Sequence, residues 1–337
     1  MSTRRGPFRA GERVRLTGPR NRINTISVET GGAFHTHRGV LSHDEIIGAH
    51  DGSVLVASNG DEYLAQRPLL KDFVLSMPRG AAIVYPKDAA QILQLADIFP
   101  GAVVVEAGVG SGALTLWLLR SIGDDGALHS IERREEFAQV AEANVRGFLG
   151  GTPANWHLHL GSFQDELAAI AAPGSVDRVV LDMLAPWECI DAAAEALAPG
   201  GVLLGYVATV TQLSRTIEAI RESELFDEPE SSETLVRTWH VEGLAVRPDH
   251  RMSGHTGFLL VARRLAPGSR PLVQKRRASK DEFTDEDVQA WTPGSIGARE
   301  QSPKRARKAV RQANAVADAA VAGAAAAAGT APAGEVE

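Results

Sequence analysis

The run Val103-Val104-Val105-Glu106-Ala107-Gly108-Val109-Gly110-Ser111-Gly112-Ala113 sets an apolar strand directly before three glycines at alternate positions, and a helix follows. Glycines there let backbone approach a ligand closely, and the helix start offers unpaired N–H groups. The same letters satisfy G-x-G-x-x-A, the dinucleotide fingerprint, so the stretch by itself fits a nicotinamide or flavin dinucleotide as well as adenosylmethionine. Glu106 and Glu132 tip the choice. Glu106 ends the first strand, where its carboxylate organises the loop or faces a cationic methionine end; beside a pyrophosphate it would be repulsive. Glu132 ends the next strand, where a carboxylate can accept both ribose hydroxyls of either ligand.

A second group belongs to the same rim. An open parallel sheet binds ligands at the carboxyl ends of its central strands, and Leu181-Asp182-Met183-Leu184-Ala185-Pro186-Trp187 ends one of them. Asp182 therefore points into the site, and with a reference pKa of about 3.9 it is expected to be ionised. Tyr206 ends the following strand. Tyr85 precedes a helix opened by Pro86-Lys87-Asp88, with proline in its first turn.

The elements that must position these residues alternate as a parallel sheet wrapped by helices requires. Strands are expected at Val103–Glu106, Ala127–Ile131, His157–Leu160, Arg178–Leu181 and Val202–Tyr206. Helices are expected at Ala113–Leu119, Phe137–Val145, Asp191–Leu197 and Gln212–Glu222. Thr238–Ala245 and Gly257–Ala262 would add an edge hairpin, with a long loop over Arg247–Thr256, to make seven strands. Ahead of this lies a small β unit, with a hairpin signal at Asn59-Gly60. The expected layout is a disordered basic arm over 1–10, a β domain over 11–68, an α/β domain over 69–268 and a disordered tail over 269–337. The tail is basic and then alanine-rich, with no stripe of larger apolar residues to bury.

Charge is uneven across the 337 residues. Residues 1–24 hold seven Arg against one acid, and 270–311 hold eleven Lys or Arg against six acids. Residues 25–269 hold 17 basic and 32 acidic side chains, a net of -15. Basic ends permit a polyanionic partner without demonstrating one. Cys189 is the single cysteine, so no internal disulfide or cysteine zinc cage forms, and a reducing cytoplasm fits. No apolar run approaches a membrane span of roughly 20 residues, and residues 1–24 lack the apolar stretch of a secretory signal.

Four segments together carry a specific resemblance: Ile83-Val84-Tyr85-Pro86-Lys87-Asp88, Glu106 to Thr115, Leu181 to Glu188, and Tyr206-Val-Ala-Thr-Val-Thr-Gln-Leu213. With His35-Thr-His-Arg-Gly39, His43-Asp-Glu-Ile-Ile-Gly48 and Arg247 to Thr256, they resemble the bacterial, actinobacterial-type tRNA (adenine-58-N1)-methyltransferase family over about residues 10 to 268. The resemblance implies a Rossmann-like, seven-stranded methyltransferase sheet with a small N-terminal β domain, S-adenosylmethionine as cofactor, tRNA as partner, and a homotetramer. It gives Glu106, Gly108, Val109, Gly110, Ser111, Gly112, Ala113, Leu114 and Thr115 to the methionine end of the cofactor and Glu132 to its ribose. Phe137, Ser162 and Asp182 complete the expected contacts; Ser162 stands where these enzymes often have an acid near the adenine. Asp182 matches the catalytic aspartate, and Tyr85 and Tyr206 match tyrosines that position the base.

Other readings stay beside this one. A protein carboxyl methyltransferase would share the cofactor half, a dinucleotide oxidoreductase would share the fingerprint, and a silent tRNA-binding module would share the basic ends. His35, His37 and His43 alternate or cluster without an acid or cysteine at ligand spacing, so no metal is expected. Trp117, Trp156 and Trp239 read as core residues. Trp187 reads equally as packing or as a stacking platform.

Overall fold

The computed structural model describes residues 5–36, 39–272 and 303–329, which fall into two compact units. The first takes residues 1–80, 139–153 and 303–337; the second takes 81–138 and 154–302.

In the first unit the chain runs through β1 (Arg13–Gly18), β2 (Arg22–Ser27), β3 (Ala33–His35), β4 (Val40–Ser42), α1 (His43–Ile46), β5 (Ser53–Val56), β6 (Glu62–Gln66) and α2 (Leu70–Ser76). Four strands form a sheet in the order β2-β1-β6-β5, and β3 and β4 pair separately. Strand alternation explains the core: Val14 and Leu16 are fully buried, with the intervening arginines on the other face. Gly60, with φ +86°, makes the β5–β6 turn expected at Asn59-Gly60. The expected arm over residues 1–10 is not disordered where it is described. Phe8 is 1% exposed, and its N–H donates to the Ala49 carbonyl; one aromatic seated in the core anchors the basic segment around it.

The tail needs a larger correction. Pro303–Gly329 is a helix of the first unit, α9; residues 273–302 and 330–337 of the tail lie outside the described residues. Ala306, Ala309, Ala313 and Ala317 recur every three or four positions, and all are buried. At two places the helix meets glycine, which lets the backbones approach closely. A Cβ on Gly11 would stand 2.0 Å from the Ala319 carbonyl oxygen, and one on Gly147 3.3 Å from Ala317 Cα. Arg146 adds bonds to Asn314 and Asp318 at 3.2 and 3.0 Å. The absence of large apolar residues marks close packing rather than lack of a seat.

The second unit contains α3 (Pro86–Leu95), β7 (Val103–Ala107), α4 (Ala113–Ile122), β8 (Ala127–Glu132), the start of α5 (Glu135–Leu149), β9 (Trp156–Leu160) and α6 (Phe163–Ile170). It continues with β10 (Val176–Asp182), α7 (Ile190–Ala196), β11 (Leu197–Val207), α8 (Val210–Ser223), β12 (Glu230–Glu233), β13 (Trp239–Glu242), β14 (Ala245–Pro248) and β15 (Phe258–Arg263). Seven strands form one sheet in the order β12-β15-β11-β10-β7-β8-β9. The five from β11 to β9 are parallel; β15 and β12 complete the edge antiparallel. This is the expected Rossmann-like sheet. Its core joins Val105, Ile131, Phe163, Leu181 and Leu203 to apolar residues of α6 and α7.

The expected edge hairpin is half right. β15 lies where Gly257–Ala262 was expected, but its outer partner is β12, Glu230-Ser231-Ser232-Glu233. Thr238–Ala245 contributes instead to a separate ribbon in which β13 pairs with β14. β12 is exposed at every residue, so only its backbone identifies it and no hydrophobic period announces it. Among the described residues, no helix is long and apolar enough to cross a membrane.

Candidate active site

β7, β8, β10 and β11 end at one rim of the sheet, and each delivers a residue named from sequence. β7 brings Glu106, β8 Glu132, β10 Asp182 and β11 Tyr206; Asp182 and Tyr206 are partners in the β10–β11 register. The glycine loop after β7 turns through Gly108, Gly110 and Gly112, all at positive φ. Gly108 is obligatory for a second reason: a Cβ there would stand 1.8 Å from the Asp182 carbonyl oxygen. The loop is thus pressed against the end of β10.

Glu106 is 1% exposed. Its Oε2 accepts from Thr115 Oγ1 and Ser130 Oγ, both at 2.8 Å, and Ser130 Oγ in turn accepts from the Trp156 indole at 2.9 Å. Oε1 is buried and has no protein partner. Burial pushes the Glu106 carboxyl up to about 7, against the two hydroxyl bonds, and Asp182 and Glu132 add smaller upward pushes. Glu132 is also buried; Oε2 accepts from the Gly110 N–H at 3.0 Å and Oε1 from the Arg134 N–H at 3.1 Å. It holds the glycine loop in place, and each oxygen keeps a lone pair for a ligand hydroxyl.

Asp182 departs from the expected ionised carboxylate. Burial, and then the Glu132 charge, push it up to about 7. Sequence supplies the residue but not the desolvation that sets its charge.

Tyr206 is buried and Tyr85 is not. The Tyr206 hydroxyl donates to Asp88 Oδ2 at 3.3 Å, and burial followed by the Asp88 charge raises its pKa, so the phenol remains a donor. Tyr85 caps α3 and is 40% exposed. Leu114 and Thr115 are buried in the first turn of α4. Two expected cofactor residues also make contacts within the protein. Ser162 caps α6 and donates to Asp165 Oδ2 at 2.6 Å, while Phe137 is buried with the Arg134 guanidinium 3.8 Å above its ring.

A cluster beside Tyr206 is built from residues that the sequence offers only as part of the resemblance, with no individual role. Lys87 Nζ donates to Asp88 Oδ1 at 2.6 Å, to the Thr234 carbonyl at 2.6 Å and to Thr256 Oγ1 at 2.5 Å; Thr256 Oγ1 donates to Asp88 Oδ2 at 2.6 Å. Nearby, the two ring nitrogens of His255 lie 2.7 Å from Glu233 Oε1 and 2.7 Å from the Ala208 carbonyl. Only the imidazolium serves both, and these two bonds raise its pKa. The signal was present in the adjacent Lys87-Asp88 and His255-Thr256 letters, but an acid in a first helical turn reads as an ordinary cap.

The remaining aromatic and histidine residues sort plainly. Trp156 is core, as expected, whereas Trp239 is 56% exposed and is not. Arg215 lies 4.2 Å over the Trp187 ring. His43 is buried and accepts from the Glu29 N–H at 3.1 Å, a structural role; His37 lies outside the described residues.

Comparison with known proteins places the chain in a family. Residues 6–55 match the TrmI-like N-terminal family, and 64–246 match the family of the tRNA methyltransferase complex GCD14 subunit. The chain is 36% identical over 249 residues to the tRNA (adenine(58)-N(1))-methyltransferase TrmI of Thermus thermophilus, covering 74% of this chain and 95% of that one. It is 30% identical over 252 residues to the tRNA (adenine(57)-N(1)/adenine(58)-N(1))-methyltransferase of Methanocaldococcus jannaschii, covering 68% and 87%. Among solved structures it is similar to a SAM-dependent O-methyltransferase of Thermotoga maritima, with TM-score 0.72, 28% identity and coverage of 78% and 96%. It is also similar to the tRNA (m1A58) methyltransferase TrmI of Aquifex aeolicus, with TM-score 0.68, 27% identity and coverage of 77% and 100%.

Proposed function

We propose that this chain, which belongs to the family of the tRNA methyltransferase complex GCD14 subunit, transfers the methyl group of S-adenosylmethionine to N1 of adenine 58 in the T loop of tRNA. The observation that carries the reading is the acid at the glycine loop. Glu106, Glu132 and Asp182 end three strands at one rim, and the last two raise the pKa of the first. Such a pocket repels a pyrophosphate and welcomes a cation, which favours adenosylmethionine over a dinucleotide. Glu106 Oε1, buried and unpartnered, fits an ammonium or N–H donor on the ligand.

Bound adenosylmethionine supplies an electrophilic methyl on a cationic sulfur. The protein's task is placement. The glycine loop, with Leu114 and Thr115, holds the methionine end, and Glu132 takes the ribose hydroxyls with its free lone pairs. Adenine N1 is an unprotonated lone pair at neutral pH, so no proton must leave before it attacks. Orienting two bound reactants is worth on the order of 7 to 11 kcal/mol. Ionised Asp182 accepts a hydrogen bond from the exocyclic amino group, which grows more acidic as the base gains charge. A bond of that kind contributes roughly 1.5 to 3 kcal/mol. N1 lies on the Watson–Crick edge, so the nucleotide must first leave its stack, and Tyr85 and Tyr206 are assigned to hold the extruded base.

The homotetramer implied by resemblance finds support in the β13–β14 ribbon. Trp239 and Val241 share one face with Val246, and all three are more than half exposed. An isolated two-stranded ribbon is marginal in water, and a second copy of the chain would cover this face.

The deciding test incubates the protein with labelled adenosylmethionine and either a tRNA transcript or the same transcript with adenine 58 changed to guanine. Label on the first alone is expected. Equal label on both rejects the target base, and label on protein carboxyls instead of RNA rejects the substrate class.

A further inference from the structure

Tyr206 is fixed from two sides. On one side Asp88, fully buried, receives its hydroxyl. On the other, a Cβ on Gly257 would stand 2.4 to 2.6 Å from Tyr206 Cζ, Cε2 and Oη, so the Gly257 backbone lies flat against the phenol edge. The hydrogen-bond inventory around Asp88 closes. The three Lys87 N–H groups go to Asp88, Thr234 and Thr256, Thr256 both accepts and donates, and both Asp88 oxygens are engaged. Lys87 also answers the Asp88 charge, the condition on which a buried carboxylate is tolerated. With Lys87 and Thr256 both donating to Asp88, its carboxylate is held as the acceptor for the Tyr206 hydroxyl.

We propose that Asp88, held by Lys87 and Thr256, is a positioning residue for methyl transfer. It fixes the Tyr206 phenol at the β11 end of the rim, beside Asp182 in the strand register, so that an extruded base finds a preset wall. The proposal builds on the functional reading above, in which Tyr206 holds the base. It assigns Asp88 no contact with the base or the cofactor. Its effect therefore passes entirely through Tyr206, which separates it from a residue needed only for stability.

The test is a double-mutant cycle on the full chain with Asp88→Asn, Tyr206→Phe and both together, in steady-state methylation of the tRNA transcript. Asp88→Asn replaces one carboxylate acceptor with an amide donor among groups that all donate, and loss of a charged hydrogen bond predicts a kcat lowered roughly 10- to 100-fold. The cofactor Kd should stay within about twofold, and the same substitution in the Tyr206→Phe background should cost less than about threefold. An equal cost in both backgrounds, or an unchanged kcat in the first, overturns the proposal. Should Asp88→Asn fail to fold, Thr256→Val runs the same cycle while keeping the Lys87–Asp88 pair, and is read by the same two outcomes.

A second measurement does not depend on turnover. The chain has three tyrosines, so phenolate formation followed by near-ultraviolet difference absorbance, with Tyr206→Phe as the assignment, isolates Tyr206. Asp88→Asn should bring its titration down toward that of a free tyrosine; no movement overturns the positioning claim. If the wild-type protein methylates no tRNA while this titration shifts as expected, the functional reading falls and the Asp88–Tyr206 coupling stands.

Discussion

Acid should switch this enzyme off through Asp182 well above the range in which an ordinary aspartate titrates. Burial and the Glu132 charge place its carboxyl at about 7, so it is ionised to about nine-tenths at about pH 8 and about one-tenth at about pH 6. The sign follows from the direction of the shift. A carboxyl whose charged form is disfavoured by the fold gains that form as pH rises through about 7, and only that form accepts the amino hydrogen bond. From Asp182 alone kcat/KM for the cofactor should therefore fall about tenfold over that interval, and further with Glu106. Glu106, raised to about 7 mainly by burial, titrates in the same window and acts in the same direction, since its charge favours a cationic ligand. The observed values will belong to the coupled group rather than to either residue. Because kcat reports the complex, in which a cation has entered the pocket and lowered those pKa values, its profile should break at a lower pH. The assay is initial-rate methylation of a tRNA transcript across about pH 5.5 to 8.5 at constant ionic strength, for wild type and Asp182→Asn. The variant should be slow, and its profile should lose the Asp182 limb. A wild-type kcat/KM that is flat across the interval, or an identical break in the variant, would refute the reasoning.

The same raised carboxyls make the ligand-free fold most stable on the acid side, because their contribution is complete below the unfolded pKa values and is lost as pH rises through about 7. Thermal melts should show Tm falling from about pH 5.5 to 8, and cofactor raising Tm most at the upper end. Gly108→Ala meets both a positive φ and the Asp182 carbonyl, so it should abolish cofactor binding and lower Tm, as calorimetry would show; wild-type affinity would mean the loop is not seated as described. Truncation before Pro303 uncovers the glycine and alanine seam, at about 0.8 kcal/mol for each buried methyl, and should lower Tm while leaving kcat at saturating tRNA unchanged. The first nine residues of α9 also carry exposed Lys304, Arg305, Arg307, Lys308 and Arg311; if these meet phosphate, the truncation should flatten the salt dependence of tRNA affinity by about one slope unit per lost contact. Val241→Lys on the open ribbon should shift sedimentation toward smaller species, and unchanged sedimentation would remove the ribbon from the assembly.

Legibility in the sequence followed the kind of force that shapes each part. The parallel sheet was readable because Val103–Val105, Val179–Leu181 and Val202–Leu204 are apolar runs that only a sheet covered on both faces accepts. The three strand-end acids and Tyr206 were readable because a sheet's rim has a fixed place in that pattern. β12 was not, since Glu230 to Glu233 pairs through backbone alone. α9 was misread because its apolar stripe is made of methyls, and a methyl stripe is informative only when glycines such as Gly11 and Gly147 are known to face it. The Lys87–Asp88–Thr256 network shows its letters but not its pairing in the sequence: it joins residues 169 apart, and no local pattern records that contact.

Three acids at one rim are costly to a ligand-free protein, and the structure shows where the cost is concentrated. Ser130 and Thr115 answer only one oxygen of Glu106, and the Gly110 and Arg134 N–H groups answer both oxygens of Glu132. Asp182 answers its burial by holding its proton to about 7. The unpartnered oxygen is Glu106 Oε1, and the disfavoured charge is that of Asp182, against whose carbonyl the glycine loop is pressed. A cation bound there relieves both at once, so cofactor binding should ionise Asp182 in the same step and ready it for the base. Cofactor affinity and the charge of the Glu106 and Asp182 carboxyls are then one equilibrium, and proton release on binding, followed by calorimetry in buffers of different ionisation enthalpy at about pH 6.5 for wild type and Asp182→Asn, measures the Asp182 share. Binding with no proton exchanged would mean that Asp182 is already charged and that the pocket's acidity serves the cofactor alone.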